Sequence, residues 1–307
     1  MLYNWNIVGH EETLKLLELD IKNNNVSQCY LFVGPNQLGK FTVAHKMANI
    51  LQCENNYCHQ CSVCVEIKKE IHPDTTLIKN DGESLKIDLV REVINKVNMT
   101  SQSKHNIVLI ESIERLTPEA ANALLKTLEE PAPDVVFLLT TDNIKAILPT
   151  ILSRSRIVNF HLCSEPLIMK YLEERHTTED AETLKQAGLL SLGKPGKAIA
   201  FLEDRSLLSY FQALYNDASS MFLEESVTRK FQYVESLLEK EFMAQDFLDV
   251  MEHVARTRLL DFALQTNKNQ ASQQQLMALI KEIQQVRDYL NGNINSKLAL
   301  ENLLLAI

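Results

Sequence analysis

The sequence predicts a parallel α/β domain with a phosphate-binding loop, followed by a region built of helices. Up to about residue 164, five short apolar runs alternate with helical patterns. A glycine-rich segment that ends in lysine follows the first of these runs, and no strand pattern is found after residue 164. Such alternation is typical of a mostly parallel sheet covered by helices on both faces.

The elements of the first part follow in order along the chain. Helical patterns occupy residues 11–24, 39–51, 87–97 and 118–130. Thr117 is the expected N-cap of the last helix, because proline stands at the first helical position. The predicted strands are residues 29–33, 75–78, 107–110, 135–140 and 157–160.

The second part of the chain is predicted to be helical. Beyond residue 164, apolar residues recur three and four positions apart. Breaks between these helices are expected where glycine occurs alone or beside proline or asparagine. The predicted breaks are Gly188, residues 193–196 and residues 291–293.

Composition and charge exclude several functional classes. The chain has 307 residues, enough for two or three domains, and a net charge of −9. That charge argues against non-specific binding to polyphosphate or anionic membranes, so any nucleic-acid contact should be local or shared with partners. No apolar run approaches the roughly 18 residues of a membrane span, and the first residues lack a signal-peptide pattern. We therefore expect a cytoplasmic protein.

Residues 34–41 (GPNQLGKF) connect an apolar strand to a helix, the context in which a glycine-rich loop surrounds phosphates with backbone N–H groups. In a working loop, the residue after the lysine gives a hydroxyl to Mg²⁺, but here it is Phe41. The next residue is a threonine, whose side chain is rotated by about 100° along the helix. Retained ATP–Mg²⁺ binding and a vestigial loop are both compatible with this segment. The candidate nucleotide-binding residues in it are Gly34, Gly39, Lys40 and Thr42.

The apolar strand at residues 107–110 ends in Glu111, a position that can hold the Mg²⁺ of a bound nucleotide. Hydrolysis in this layout also needs an adjacent carboxylate to orient the attacking water, and Ser112 cannot act as that base. The missing hydroxyl at Phe41 and the missing carboxylate at Ser112 together predict a nucleotide-binding fold that does not hydrolyse nucleotide. The alternative is that Glu111 and Glu114 are solvated residues at the end of a strand.

Four of the six cysteines lie within twelve positions of one another. In a chain expected to be cytoplasmic, this spacing favours a metal site over disulfides. Four thiolates close a tetrahedral Zn²⁺ site and leave no position for a catalytic water, so the predicted zinc is structural. Cys29 and Cys163 are expected to be small core residues. The predicted ligands are Cys53, Cys58, Cys61 and Cys64.

Residues 122–131 (NALLKTLEEP) and 153–155 (SRS) resemble two motifs of the clamp-loader subunits of bacterial DNA polymerase III, which are AAA+ proteins. The family has cysteine at the position of Ser155. The delta-prime type of subunit is the most similar, in length and in the eroded nucleotide motifs of many members, whereas the gamma and tau ATPases keep both motifs intact. Further similar segments, which extend the resemblance over the whole chain, are residues 4–10, 193–198 and 293–301.

The resemblance implies three domains. An AAA+ domain would occupy residues 1–163, with a zinc module at residues 53–64. A small helical lid domain would occupy residues 164–205, and a helical collar domain that joins subunits in a ring would occupy residues 206–307. Packing in a collar and packing within one chain both explain the aliphatic residues near the end, which are Leu300, Leu303, Leu304 and Leu305.

The resemblance also supports the zinc prediction. In the family, a four-cysteine zinc module follows the phosphate-loop helix, which is where the cysteines of this chain lie. The interval between Cys53 and Cys58 is shorter than in the family pattern. Cys53 is therefore the least secure ligand, and His59 or His72 could replace it.

Arg154 acquires a role from the resemblance. An arginine at this place in the family reaches across a subunit interface to the γ-phosphate of a neighbour's ATP, where it can contribute about 10³–10⁵ in rate. The alternative is a solvated surface ion pair, which is the role expected for Arg156. Thr140 or Thr141 resembles a residue that senses γ-phosphate, and Lys197 stands where a second sensor is expected.

The implied function is that of a non-hydrolysing clamp-loader subunit that helps to place the sliding clamp on primed DNA. Its partners would be gamma/tau-type and delta-type subunits, the clamp and primed DNA, with no membrane involved. Two alternatives stay open. The chain could be an active ATPase subunit of the same assembly, or a stand-alone zinc-containing nucleic-acid-binding protein.

Overall fold

Five parallel strands form one sheet in the computed structural model. The structure describes residues 3–55, 57–99, 101–132, 134–224, 226–238, 243–264, 270–290 and 296–307. The strands are β1 Cys29–Val33, β2 Thr75–Ile78, β3 Asn106–Ile110, β4 Val135–Thr141 and β5 Arg156–Asn159. Their order is β2-β3-β4-β1-β5, and every neighbouring pair is parallel. The five predicted strands are confirmed to within one residue at each end.

Six helices accompany the sheet in the first part of the described chain. Thr117 caps the fifth of them, because its Oγ1 accepts the backbone N–H of Ala120 at 3.3 Å, as predicted. Cys61 caps the third in the same way, since its Sγ accepts the N–H of Cys64. The helices are α1 Glu11–Lys22, α2 Lys40–Gln52, α3 Ser62–Lys68, α4 Ile87–Val97, α5 Pro118–Glu129 and α6 Pro149–Leu152.

The sheet is buried on both faces. Successive residues of a strand point to opposite sides, so Leu31 packs with side chains of α4 and α5, while Tyr30 and Phe32 pack with those of α1 and α2. All three side chains are fully buried. This two-sided burial explains why the strands are continuous apolar runs.

The carboxyl ends of the strands meet at one edge of the sheet. Strand β1 lies between β4 and β5. The glycine-rich loop that follows β1 therefore lies beside the residues that follow β4 and β5. Ligands of open α/β sheets bind at such an edge, where the strand order reverses.

Eight helices make up the rest of the described chain. Contacts divide the protein into one unit of Met1–Leu167 with Lys194–Gly196, and a second unit of Ile168–Gly193 with Lys197–Ile307. The predicted separation of lid and collar within the second unit stays a prediction. No helix among the described residues combines the length and the apolar character that crossing a membrane requires. The helices are α7 Glu165–Arg175, α8 Ala181–Leu190, α9 Pro195–Glu203, α10 Arg205–Met221, α11 Val227–Leu238, α12 Met243–Leu264, α13 Gln270–Leu290 and α14 Ser296–Leu305.

One predicted helix break is wrong. Gly188 lies inside α8, where a Cβ atom would come within 2.4 Å of the sulfur of Met169, so glycine serves close packing there and not a turn. The break predicted at residues 291–293 lies outside the described residues. Packing of α14 against α11 and α13 buries three of the four terminal leucines, namely Leu300, Leu303 and Leu304.

Candidate functional site

The loop between β1 and α2 has a backbone that depends on glycine. The φ angles are 149° at Gly34, 64° at Gln37 and 85° at Gly39, in the range that side chains rarely adopt. A Cβ atom at Gly34 would lie 2.4 Å from the carbonyl oxygen of Phe160, which follows β5. The missing side chain thus lets the loop pass close to the end of the neighbouring strand.

We expect Gly34→Ala to lower the free energy of unfolding by about 2 kcal/mol or more, because the added methyl group overlaps a backbone oxygen. Denaturant unfolding measures the loss. Gly82→Ala is the matched control, since Gly82 also has a positive φ of 87° but no atom lies within 4 Å of the added Cβ. Its expected cost is about 1 kcal/mol. Equal losses in the two variants would contradict the steric explanation.

Lys40 is held by its own loop. Its Nζ donates hydrogen bonds to the carbonyl oxygens of Gly34 and Pro35 at 2.6 and 2.8 Å, and the residue is buried. Burial lowers the pKa of the Lys40 ammonium. The negative charges that oppose this shift belong to Asp142, Glu114 and Glu111. Two of the three N–H groups of the ammonium that would bind phosphate are thus bonded to backbone carbonyls.

The two residues after Lys40 bring no hydroxyl into the loop. Phe41 packs against the core on the α1–α2 side, and its ring stacks on His45 with 6.3 Å between centroids. Thr42 is exposed. The place of the usual Mg²⁺ ligand is thus taken by an aromatic side chain that serves packing.

Polar residues at the ends of β2, β3 and β4 contact one another. The N–H of Asn80 donates to Glu111 Oε2 at 2.9 Å, and its side-chain amide donates to Ser112 Oγ at 3.2 Å. The N–H of Ser112 donates to Thr140 Oγ1 at 3.0 Å. Glu111, Lys40 and the glycine-rich loop therefore share one edge of the sheet, as their positions in the sequence indicate. The position beside Glu111 carries a hydroxyl and no carboxylate.

A carboxyl pair at this edge was not predicted. The side chain of Glu114 is hydrogen-bonded to that of Asp142, and burial raises the pKa of Glu114. The amide of Asn36, in the glycine-rich loop, donates to Asp142 Oδ2 at 2.6 Å. The alternative for Glu111 and Glu114 was two solvated residues at the end of a strand, and both are half-buried. The amino-acid sequence contains little indication of this carboxyl pair, because the two residues meet only if β3 and β4 are neighbours in the sheet.

Arg154 lies on the turn between α6 and β5. Its Nη1 donates to the carbonyl oxygen of Thr150 at 3.0 Å and to Ser153 Oγ at 3.2 Å, and its Nη2 lies 2.9 Å from Oε1 of Glu129 in α5. About a third of the side chain is exposed, at 34%. The arginine is held in place and still reaches solvent.

Arg156 has a structural role. Its Nη1 lies 2.8 Å from Oδ1 of Asp20, a carboxylate that is only 7% exposed. Tyr30 donates its hydroxyl to the other oxygen of Asp20 at 3.1 Å, and its ring lies 6.0 Å from the guanidinium. The ion pair predicted for Arg156 is present, although its partner is buried. It ties the start of β5 to α1 and β1.

The three residues compared with γ-phosphate sensors already have contacts within the chain. Thr140 accepts a backbone N–H as described above, and Thr141 accepts the N–H of Asn143 at 3.1 Å. Lys197 is buried, and its ammonium lies 3.6 Å from the ring centroid of Phe211. The structure thus gives Lys197 a packing role inside the second unit.

The four clustered cysteines form the candidate metal site. Their sulfur atoms all lie within 4.8 Å of one another. Cys53 Sγ is 3.8 Å from both Cys58 Sγ and Cys61 Sγ. A tetrahedral zinc ion with Zn–S bonds of about 2.3 Å places its sulfur ligands about 3.8 Å apart. The donor set therefore fits one Zn²⁺ ion.

The thiols of this cluster have unequal pKa values. Backbone N–H groups of Gln60 and Cys61 point to the Cys58 sulfur and lower its pKa to about 6, which favours the thiolate that binds metal. Burial raises the pKa of Cys64 to about 12. A metal must displace the Cys64 proton, so binding in this cluster is coupled to proton release.

No histidine is needed to complete the cluster among the described residues. His72 is buried elsewhere, with Nδ1 3.0 Å from Thr75 Oγ1 and Nε2 3.4 Å from Ser103 Oγ. The ring of His59 lies against that of Tyr57, with 3.9 Å between the ring centroids and an angle of 45° between the planes. Cys53, the ligand expected to be least secure, is instead one of the four sulfurs brought together.

The two remaining cysteines lie apart from this cluster. Cys29 is buried, and burial raises the pKa of its thiol to about 11. Its Sγ lies 3.2 Å from Oγ of Ser155, which also donates to the carbonyl oxygen of Ile151 at 2.7 Å. Cys163 is half-buried, and its Sγ lies 3.4 Å from the carbonyl oxygen of Val8. Neither thiol belongs to the metal site.

The amino-acid sequence has recognisable relatives. A delta-prime subunit of DNA polymerase III from Haemophilus influenzae is 30% identical over 233 residues, which are 72% of this chain and 70% of that protein. A DNA polymerase III gamma subunit from Buchnera aphidicola is 30% identical over 211 residues, or 66% of this chain and 58% of that protein. A gamma-subunit-related protein from Thermotoga maritima, of known structure, is 21% identical with a TM-score of 0.45, covering 96% of this chain and 98% of that one.

The match to a protein family covers most of the first structural unit. The family model described as DNA polymerase III, delta subunit, matches residues 9–164. This range contains the glycine-rich loop, the cysteine cluster and Arg154. It makes up about half of the chain, and the chain belongs to this DNA polymerase III delta subunit family.

Proposed function

We propose that the chain is a delta-prime-type subunit of a DNA polymerase III clamp loader. In this role it would help to load the sliding clamp onto primed DNA, together with gamma/tau-type and delta-type subunits. It would not hydrolyse ATP itself, and it would supply Arg154 to the ATP site of a neighbouring subunit. The relatives named delta-prime and the family match support the assignment to such an assembly.

One contrast carries this proposal. The chain's own phosphate loop lacks a hydroxyl at Phe41, lacks a carboxylate at Ser112, and has Lys40 bonded to loop carbonyls. Arg154, by comparison, is ordered on a turn and reaches solvent. A residue suited to stabilise charge on phosphate thus occurs in a chain whose own phosphate loop lacks two groups that hydrolysis would need.

A second candidate is an active ATPase subunit of the same assembly. Two observations favour it, because Lys40 follows β1 and Glu111 follows β3, where a nucleotide and its Mg²⁺ would need them. The relatives also include gamma and tau subunits. A stand-alone zinc-containing nucleic-acid-binding protein is the third candidate, and the net charge of −9 disfavours it.

We expect the purified chain to show no measurable ATP turnover, with or without primed DNA. Phe41→Thr should strengthen binding of ATP–Mg²⁺ more than it raises turnover, because Ser112 still cannot orient water. Calorimetric titration of ATP with and without Mg²⁺, followed by steady-state hydrolysis assays, measures both quantities. Lys40→Ala is the control that removes any residual binding at the loop.

Three outcomes would contradict this proposal. Turnover by the unmodified chain that disappears in Lys40→Ala would favour the active ATPase. Full hydrolysis by Phe41→Thr alone would show that Ser112 is not a defect. Tight, salt-sensitive binding of primed DNA by the isolated chain would favour the stand-alone nucleic-acid-binding protein.

We also propose that Cys53, Cys58, Cys61 and Cys64 bind a structural Zn²⁺ ion. The spacing of their sulfurs supports this assignment, and a four-thiolate set leaves no position for a reacting water. When bound, the ion would supply a cross-link between the end of α2 and the start of α3. The cysteines would then fix the intervening loop, which contains little apolar surface of its own.

A further inference from the structure

Glu129, the last residue of α5, lies against Arg154. Its Oε1 is 2.9 Å from Nη2 of the arginine, and the two side chains are 49% and 34% exposed. On the other side of the guanidinium, Nη1 donates to the carbonyl oxygen of Thr150 and to Oγ of Ser153. Both terminal nitrogens of Arg154 are thus held by groups of its own chain.

The helix does not account for the charge of Glu129. The carboxyl end of a helix carries partial negative charge, so an acidic side chain in the last turn is unfavourable there. The next residue, Glu130, is also acidic and is exposed. The last turn of α5 also carries Lys126, and the ion pair that Glu129 forms in the structure is with Arg154.

An arginine that acts on another molecule's phosphate must be oriented and must keep free donors. A long side chain that is immobilised only on binding loses rotamer freedom at that moment, which weakens the contact. Thr150 and Ser153 accept hydrogen bonds from two of the five N–H groups of Arg154, both on Nη1. The carboxylate of Glu129 lies against the other terminal nitrogen, Nη2. The guanidinium is thereby oriented before any phosphate arrives, without using all of its donors.

We propose that Glu129 is a positioning residue that holds Arg154 in the orientation in which it acts on a neighbouring subunit's nucleotide. The inference rests on the proposed function, because Glu129 can have this positioning role only if Arg154 acts on the nucleotide of a neighbouring subunit. Glu129 itself does not touch the phosphate. Its effect should therefore pass entirely through Arg154.

A double-mutant cycle in the reconstituted assembly tests this dependence. Glu129→Gln keeps the size of the side chain and removes its charge. We expect it to lower turnover at the ATP site that Arg154 faces by about threefold to fivefold, with little change in KM, because a half-exposed ion pair contributes modestly. The total clamp- and DNA-stimulated ATPase of the assembly should therefore fall by less than it does in Arg154→Ala. In an Arg154→Ala background, Glu129→Gln should have no further effect. Glu130→Gln is the matched control and should leave the ATPase unchanged.

The outcomes separate this inference from the proposed function. If Arg154→Ala leaves the ATPase and clamp loading unchanged, both are overturned. Suppose instead that Arg154→Ala lowers the ATPase rate, and that Glu129→Gln lowers it by the same factor in the Arg154→Ala background as in the unmodified chain. Glu129 then acts elsewhere, and only the positioning role is overturned. A rate increase in Glu129→Gln would also overturn it, since Glu129 would then compete with the phosphate. The unfolding midpoint of Glu129→Gln should equal that of the unmodified chain.

Discussion

Arg154→Ala is expected to silence one ATP site of the reconstituted clamp loader. An arginine that acts in trans contributes about 10³–10⁵ in rate at the site it faces. The total rate of a ring with several active sites should fall by only a fraction, whereas clamp loading, which needs coordinated sites, should fall further. Arg154→Lys should restore little, because an ammonium group cannot reproduce the planar guanidinium. Stimulated ATPase and clamp-loading assays measure the two effects.

Folding controls make this result interpretable. Arg154→Ala should change the free energy of unfolding by no more than about 0.5 kcal/mol, as expected for a partly exposed side chain. Arg91→Ala is a matched control, since Arg91 is also an exposed arginine beside a carboxylate, with 3.6 Å between its Nη1 and Asp88 Oδ1. An assembly containing Arg154→Ala that loads clamps at the unmodified rate would show that Arg154 is only a surface ion pair.

Loss of the proposed zinc should have the largest effect on local structure. We expect one Zn²⁺ per chain, and Cys61→Ser or Cys64→Ser should lower that content strongly, because structural zinc sites contribute about 10–16 kcal/mol of apparent binding free energy. Residues near the cluster should then exchange amide hydrogens faster, while the strands of the sheet keep their protection. Elemental analysis and hydrogen exchange measure the two effects.

Cys163→Ser is the control for the zinc experiment, because Cys163 is half-buried and lies outside the cluster. It should leave the zinc content unchanged. Protein purified without chelator that contains no zinc would overturn the assignment. Unfolding of the whole sheet on metal removal would contradict a purely local role and would show that the α/β core depends on the ion.

The sheet and the main loops could be predicted because local rules determine them. Strands buried on both faces are continuous apolar runs, as residues 29–33 and 135–141 show. Thr117 and the proline after it mark the start of α5 without any tertiary contact. The cysteines needed no more than a short loop to come together, so their spacing was sufficient.

Contacts between distant segments could not be predicted from one sequence. Glu114 pairs with Asp142 only because β3 and β4 are neighbours, and Glu129 meets Arg154 only because α5 ends beside α6. Gly188 looked like a helix break, since its close approach to another helix leaves no mark in the local pattern. Each of these features depends on packing geometry that propensity and periodicity do not contain.

The serine at position 155 affects how the arginine turn responds to oxidants. Oγ of Ser155, the residue before β5, lies 3.2 Å from Sγ of Cys29, the first residue of β1. A cysteine at position 155 would place a second sulfur beside that of Cys29, the arrangement from which a disulfide can form. With serine at one position, this covalent bond cannot form. A change in the redox conditions of the surroundings therefore cannot form or break a disulfide between Cys29 and the turn that carries Arg154.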